Sequence, residues 1–177
     1  MNNHFPIFVV SFCLCLFAGG ETPSARTEQY FKLFKSQKYS EVAKMIAPDE
    51  LKQFRKGFSF VEAMPDEKAA SFLQTFFGPK ASKENLKTMS DVDFYSALLS
   101  STLRMMGAVK FESEEILSEK IDGDKVAKVA IKYKISIGGN SEEESETIEY
   151  IKVGDKWMML LPESMKQLPA QLEAAFK

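Results

Sequence analysis

The chain is poor in the residue types on which most enzymes rely. Its 177 residues include two cysteines and one histidine, and all three (His4, Cys13, Cys15) fall within the first twenty positions. From Glu21 onward there is neither Cys nor His. A Ser-His-Asp triad or a Cys-His pair therefore cannot form there, because each uses imidazole as its base. Zinc sites of His and thiolate are excluded as well, leaving only oxygen ligands of the calcium or magnesium kind. The sequence also lacks S-x-x-K, G-x-S-x-G, P-loop and G-x-G-x-x-G motifs. Neither sign of charge is in excess: 23 basic residues face 25 acidic ones, for a net charge of −2. A nucleic-acid binder usually carries a clear surplus of Lys and Arg, so no nucleic-acid partner is expected. No metal or cofactor is expected either. Carboxylates, tyrosines and lysines are the groups left for chemistry.

The first twenty residues contain no Asp, Glu, Lys or Arg, and Phe5 to Ala18 is a run of apolar or small residues. That run is short of the roughly 20 residues a membrane-spanning helix needs. It matches the apolar core of a secretory signal, and Ala18-Gly19-Gly20 supplies the small residues of a cleavage site before Glu21. The expectation is a signal peptide over 1–20 and one domain over 21–177. The protein would be exported (periplasmic or secreted), with no stable membrane span once the signal is removed. An uncleaved anchor is the alternative. Phe12 precedes Cys13 and Leu14 precedes Cys15, so neither cysteine has the small neighbour of a lipidation site. With 45% hydrophobic residues and no disulfide, the domain must be held by its core alone, which a chain of this size can do.

The first half reads as helices. Thr22-Pro23 is a cap with an N1 proline, followed by Tyr30, Phe31, Leu33 and Phe34 at helical spacing to Gln37. Short helices follow from Ser40 and from Pro48, the latter carrying Leu51, Phe54 and Phe58. A fourth begins at Pro65, with Asp66 and Glu67 offsetting its dipole, and stops at Gly78-Pro79. Ser90 and Asp93 form a capping box for a fifth, whose apolar face is Phe94, Leu98, Leu99, Leu103 and Met106. From Phe111 the period changes to two. Strands are predicted at Ile116–Ile121, at Val126–Ile137 with lysines on one face, at Thr147–Val153 and at Lys156–Leu161. Asp122-Gly123, Gly138-Gly139-Asn140 and Gly154-Asp155 are the turns. A last amphipathic segment with Leu168, Leu172 and Phe176 is expected to cap one end of the sheet. The fold class is α+β: N-terminal helices packed on a curved antiparallel meander of about four strands.

Gln29-Tyr30-Phe31-Lys32-Leu33-Phe34, Lys38-Tyr39-Ser40-Glu41-Val42 and Ile46-Ala47-Pro48-Asp49-Glu50-Leu51 resemble the opening helices of exported nuclear-transport-factor-2-like domains. Glu149 to Met159, with its Gly-x-x-Trp pattern (Gly154, Trp157), is similar to the last hairpin of those domains. Residues 62–108 form a longer helical stretch than that family usually carries. The resemblance implies a curved sheet wrapped on helices and open at one end. That fold hosts isomerases, dehydratases and binding modules without chemistry, so it does not by itself fix a function.

Tyr30, Tyr133 and Trp157 are the candidate ligand-binding residues, each an apolar ring with one polar handle. The competing reading makes them core residues. Asp91, Asp93 and Tyr95 have the residue types of isomerase chemistry, yet residues two apart on a helix do not share a face, and capping explains both aspartates. Glu142, Glu143, Glu144 and Glu146 read as a solvated hairpin tip. Lys128, Lys132, Lys134, Lys152 and Lys156 read as solvent-side charge that discourages edge pairing. Three functions stay open: an exported non-enzymatic domain binding a small apolar ligand or a protein partner in a concave sheet pocket, an isomerase- or dehydratase-like enzyme using Asp and Tyr, and a structural or dimerisation domain. For the last, Met105-Met106 and Met158-Met159 are the possible contact surface.

Overall fold

The computed structural model describes residues 21–107 and 109–176. Residues 1–20, expected from the sequence to be a signal peptide and holding His4, Cys13 and Cys15, lie outside the described residues. Helices come first: α1 (Pro23–Lys35), α2 (Tyr39–Ala43), α3 (Pro48–Lys56), α4 (Phe60–Ala63), α5 (Asp66–Phe77), α6 (Lys83–Thr88) and α7 (Asp91–Met106). Strands β1 (Val109–Asp122), β2 (Val126–Ile137), β3 (Asn140–Val153) and β4 (Lys156–Met159) follow, then helix α8 (Glu163–Phe176). The strands form one antiparallel sheet in the order β1-β2-β3-β4. The α+β class and the four-stranded meander are as the sequence predicts.

Local chemistry sets the helix ends. The Thr22 side chain accepts from the Ala25 amide with Pro23 at the start of α1. Ser90 accepts from the Asp93 amide at 3.1 Å and donates its hydroxyl proton to Asp93 Oδ2 at 2.6 Å. Gly107 closes α7 with φ 88°, a conformation that costs glycine nothing. Two short helices, α4 and α6, escape the sequence reading. A single turn shows no helical period.

The sheet is longer than its sequence pattern. β1 reaches back to Val109, and its pairing with β2 slips between Phe111 and Ser113 and again between Ile116 and Ser118. Each slip inserts one residue, Glu112 or Leu117, and resets the alternation. The two-residue period that marks β2 is thus broken in β1. Such bulges bend a strand and increase its twist. The second one turns Leu117 outward, where it stays 52% exposed. β3 starts at Asn140, so the glutamates predicted as a hairpin tip lie within a strand. Glu142, Glu144 and Glu146 pair with Ile135, Tyr133 and Ile131 on one face, and Glu143 pairs with Lys134 on the other. The turn itself needs only Gly138 and Gly139.

Two apolar clusters organise the molecule. One lies between α1 and the sheet: Phe31 with Met45 packs on Ala127, Val129, Ile131, Ile148, Tyr150, Trp157 and Met159. The other is mainly helical, built around Phe54, Phe58, Phe72, Phe94 and Leu98 between α3 and α7, with Ile46 and Leu161 from the connecting segments. Helix α8 joins this second cluster rather than capping the sheet. Phe176 stacks edge-on against Phe72 at 5.1 Å, and the Pro169 ring faces Gly57, where an added Cβ would lie 2.8 Å from it. The segment after α2 links the clusters as a short bridge on β4, with Ala47 N donating to Met159 O and Met159 N donating to Met45 O. The Glu50 carboxylate strengthens the joint by accepting from Leu161 N and Lys166 Nζ. Arg55 does the same within the helical cluster. It donates to Leu86 O, Lys87 O and Met89 O, carbonyls at and just beyond the end of α6, and pairs with Asp91 at 3.0 Å.

The opposite face of the sheet is solvated, and its charges are matched. Lys128 pairs with Glu149, Lys132 with Glu143 and Lys134 with Glu112. Lys128, Lys132 and Lys134 therefore form no unbalanced basic face, whereas Lys152, paired with Trp157 two residues on from Tyr150, lies on the side of the sheet that Tyr150 faces.

Helix α1 is fixed to the sheet by a buried polar clip. The Thr27 hydroxyl donates to Pro23 O at 3.0 Å, which uses its only proton, so the Tyr150 hydroxyl 2.7 Å away must donate to Thr27. Neither side chain is exposed. Burial pushes the Tyr150 phenol up to about 12, which keeps it a donor. Tyr150→Phe removes one hydrogen bond and is expected to cost about 0.5–1.5 kcal/mol, whereas Thr27→Val also strands the Tyr150 hydroxyl and should cost about 1–3 kcal/mol. Denaturant unfolding of both single variants and of the double variant measures this. The double variant should fall short of the sum of the two.

Candidate functional site

The three aromatic candidates do not converge. Trp157 is 7% exposed and packs in the sheet cluster near the start of α1, where its carbonyl accepts from Arg26 Nε at 3.1 Å. The Lys152 ammonium lies 5.6 Å over its ring, and Trp157 lines none of the cavities described here. Tyr133 lies on the α1-covered face of β2, between Glu114 and Glu144 in the register. Its ring is 5.5 Å from Phe111 and 6.2 Å from Phe31, and desolvation, with Glu146 and Glu144 nearby, pushes its phenol up to about 12. Tyr30 is half-buried, 5.3 Å from Phe31 and 5.8 Å from Phe34, and burial drives its phenol strongly upward.

Tyr30 borders a groove of about 390 Å³ shared with Glu146, Ile148, Met159, Leu161 and Lys166. Glu146 is the notable group there. Desolvation first and Glu144 second raise its carboxyl above the usual range, with no hydrogen bond from Tyr30 among the causes. The groove thus joins a perturbed carboxylate and a half-buried phenol from two elements, a pairing that the sequence does not show.

The aspartates have other duties. Asp91 is held by Arg55 and Asp93 by Ser90, both at the start of α7. Tyr95, on the same helix, is buried in the helical cluster with its ring 5.4 Å from Phe54. Asp91 and Asp93 therefore make no acid–base pair with Tyr95. Among the described residues no cluster of three or more Asp or Glu side chains could hold a metal ion. Nor is any described helix long and apolar enough to cross a membrane.

A cavity of about 710 Å³ opens where the far ends of α1 and α7 meet the start of β1. Its size lies within the roughly 300–1,000 Å³ usual for ligand sites. Ser100, Leu103, Arg104 and Gly107 follow one another at the spacing that puts them on one face of α7, and that face forms one wall. Phe34 and Phe111 form another, edge to face at 5.1 Å, with Tyr39 against Phe34 at 5.6 Å. Desolvation raises the Tyr39 phenol, a sign of a partly dry wall. Gln37 completes the rim in a left-handed conformation (φ 56°), a strained state for a residue with a side chain. Tyr133 reaches this cavity only as backing for Phe111. Among the described residues no acidic side chain lines it, while Lys35, Arg104 and Lys110 do.

No family model and no curated protein matches this chain. Among solved structures it is similar to a protein from Campylobacter jejuni described as an NTF2-like transpeptidase, at 17% identity and a TM-score of 0.27, over 55% of this chain and 87% of that one. Superposition at that level carries no weight for function.

Glu146 provides a test of the smaller groove. A carboxyl whose folded pKa is raised favours folding while protonated and loses that contribution as pH rises through the folded value. Glu146→Gln is therefore expected to raise the melting temperature at pH 7, and the gain should vanish below about pH 4, where the wild-type carboxyl is protonated too. Thermal melts of both proteins across that range check it.

Proposed function

We propose that this is an exported, non-enzymatic binding domain that holds a small apolar ligand in the cavity between α1, α7 and β1. The observation that carries this reading is the composition of the walls. Phe34, Tyr39, Leu103, Val109 and Phe111 give a concave apolar lining, and none of the lining residues is a carboxylate that could act as a base. An aromatic wall of this kind removes apolar surface from water without directional demands. Export is supported by the apolar first twenty residues and their small-residue end.

The enzyme reading has one observation in its favour, the raised carboxyl of Glu146 beside Tyr30 in the smaller groove. In that reading the acid–base pair is Glu and Tyr rather than Asp and Tyr. The dimerisation reading draws on Met105 and Met106, which are 51% and 47% exposed, but loses Met159, which is buried opposite Tyr150.

The experiment is a titration with the neutral fluorophore N-phenyl-1-naphthylamine. It should bind saturably to the protein from Glu21 on. Ser100 lies exposed on the cavity wall, so Ser100→Trp fills the space at little cost to the helix. That variant should lose at least about tenfold in dye affinity, about 1.4 kcal/mol, with an unchanged melting temperature. Equal binding by the variant would remove this cavity as the receptacle.

A further inference from the structure

We infer that the ligand of the large cavity is an amphiphile, an aliphatic body ending in an acidic oxygen headgroup. This rests on the reading of that cavity as the receptacle. The protein as a whole is slightly acidic, with a net charge of −2, yet Lys35, Arg104 and Lys110 are the charged residues lining this cavity and all three are basic. They come from three elements: the end of α1, the last turn of α7 and the start of β1. The dipole of α7 accounts for a cation at Arg104. The dipole of α1 does the same for Lys35 in its last turn, but no helix end accounts for Lys110 at the start of β1. Lys35 is already paired with Glu114, whereas Arg104 and Lys110 make no ion pair among the described residues.

The arrangement separates two chemistries within one space. The aromatic rings of Phe34 and Phe111 can take a hydrocarbon chain, and the guanidinium of Arg104 can take a carboxylate or phosphate by two parallel hydrogen bonds. A neutral lipid would leave Arg104 and Lys110 to water and gain no charge-assisted hydrogen bond. A cationic one would be repelled. A headless hydrocarbon would gain only the apolar part.

The test compares dodecanoate, dodecyl phosphate and dodecan-1-ol as competitors of N-phenyl-1-naphthylamine on the folded chain from Glu21. Both anions should displace the dye at least about tenfold more tightly than the alcohol. Added salt should weaken the anions and leave the alcohol unchanged. Arg104→Gln should remove most of the anion advantage without altering the affinity for dodecan-1-ol, a readout that a merely destabilised fold would not give. The tighter of the two anions then identifies the headgroup. Equal displacement by anion and alcohol, or an anion advantage that survives both Arg104→Gln and Lys110→Gln, overturns the acidic headgroup and leaves the apolar cavity standing. Failure of all three to displace bound dye overturns both.

Discussion

A single hydroxyl proton, on Thr27, governs how the first helix meets the sheet. Because that proton goes to Pro23 O, the Thr27 oxygen is left as an acceptor, and the Tyr150 phenol turns toward it in a site closed to water. Hydrogen bonds in such surroundings are costly to leave unmade, so the pair allows one seating of α1 and penalises the others. The flanking contacts agree with it. The Arg26 side chain holds the carbonyl of Trp157, Ser24 N at the helix start donates to Glu119, and Lys35 at the helix end holds Glu114. Phe31 then has one place to go, onto Met45 and the apolar strip of β2 and β3.

The large cavity follows from this seating. α1 lies along the sheet from Thr27 on Tyr150 to Phe34 on Phe111, and Lys35 in its last turn reaches Glu114, between the two bulges of β1. α7 belongs to the other cluster, so its last turn has no sheet to lie on. The two helix ends therefore stand beside β1 without packing fully together, and the Phe34–Phe111 pair on one side and Leu103 on the other border a space between them. A molecule with two cores joined through a short bridge and one glutamate has its natural void at the seam. Ligand sites often occur at such boundaries.

Much of the fold was legible in the sequence because its signals are local. Thr22-Pro23, Ser90 with Asp93, Gly107 and the turn glycines each act within a few residues, and each does what its chemistry requires. The alternation of β2 was equally plain. β1 was read short because its bulges reset the period, and the front of β3 was missed because both of its faces carry only polar side chains there, with no apolar alternation to read. The helical core drew in α8 against expectation, since nothing local to Leu168, Leu172 and Phe176 says whether their partner is a sheet or Phe72. The site was the least legible part. Trp157 and Tyr30 are conspicuous in a sequence, but Ser100, Leu103 and Arg104 become a wall only when α1 brings Phe34 across from them.

The glutamates of β3 also bear on how copies of this molecule meet. β4 pairs only with Tyr150–Val153, so among the described residues no strand lies beside positions 140–148 on the side away from β2. An open strand margin usually invites another chain to zip onto it. Here a neighbour approaching at the strand spacing of about 4.8 Å would bring its own comb of carboxylates against Glu142, Glu143, Glu144 and Glu146. Like charges set directly opposite one another across such a junction are destabilising, so the comb works against edge-to-edge pairing.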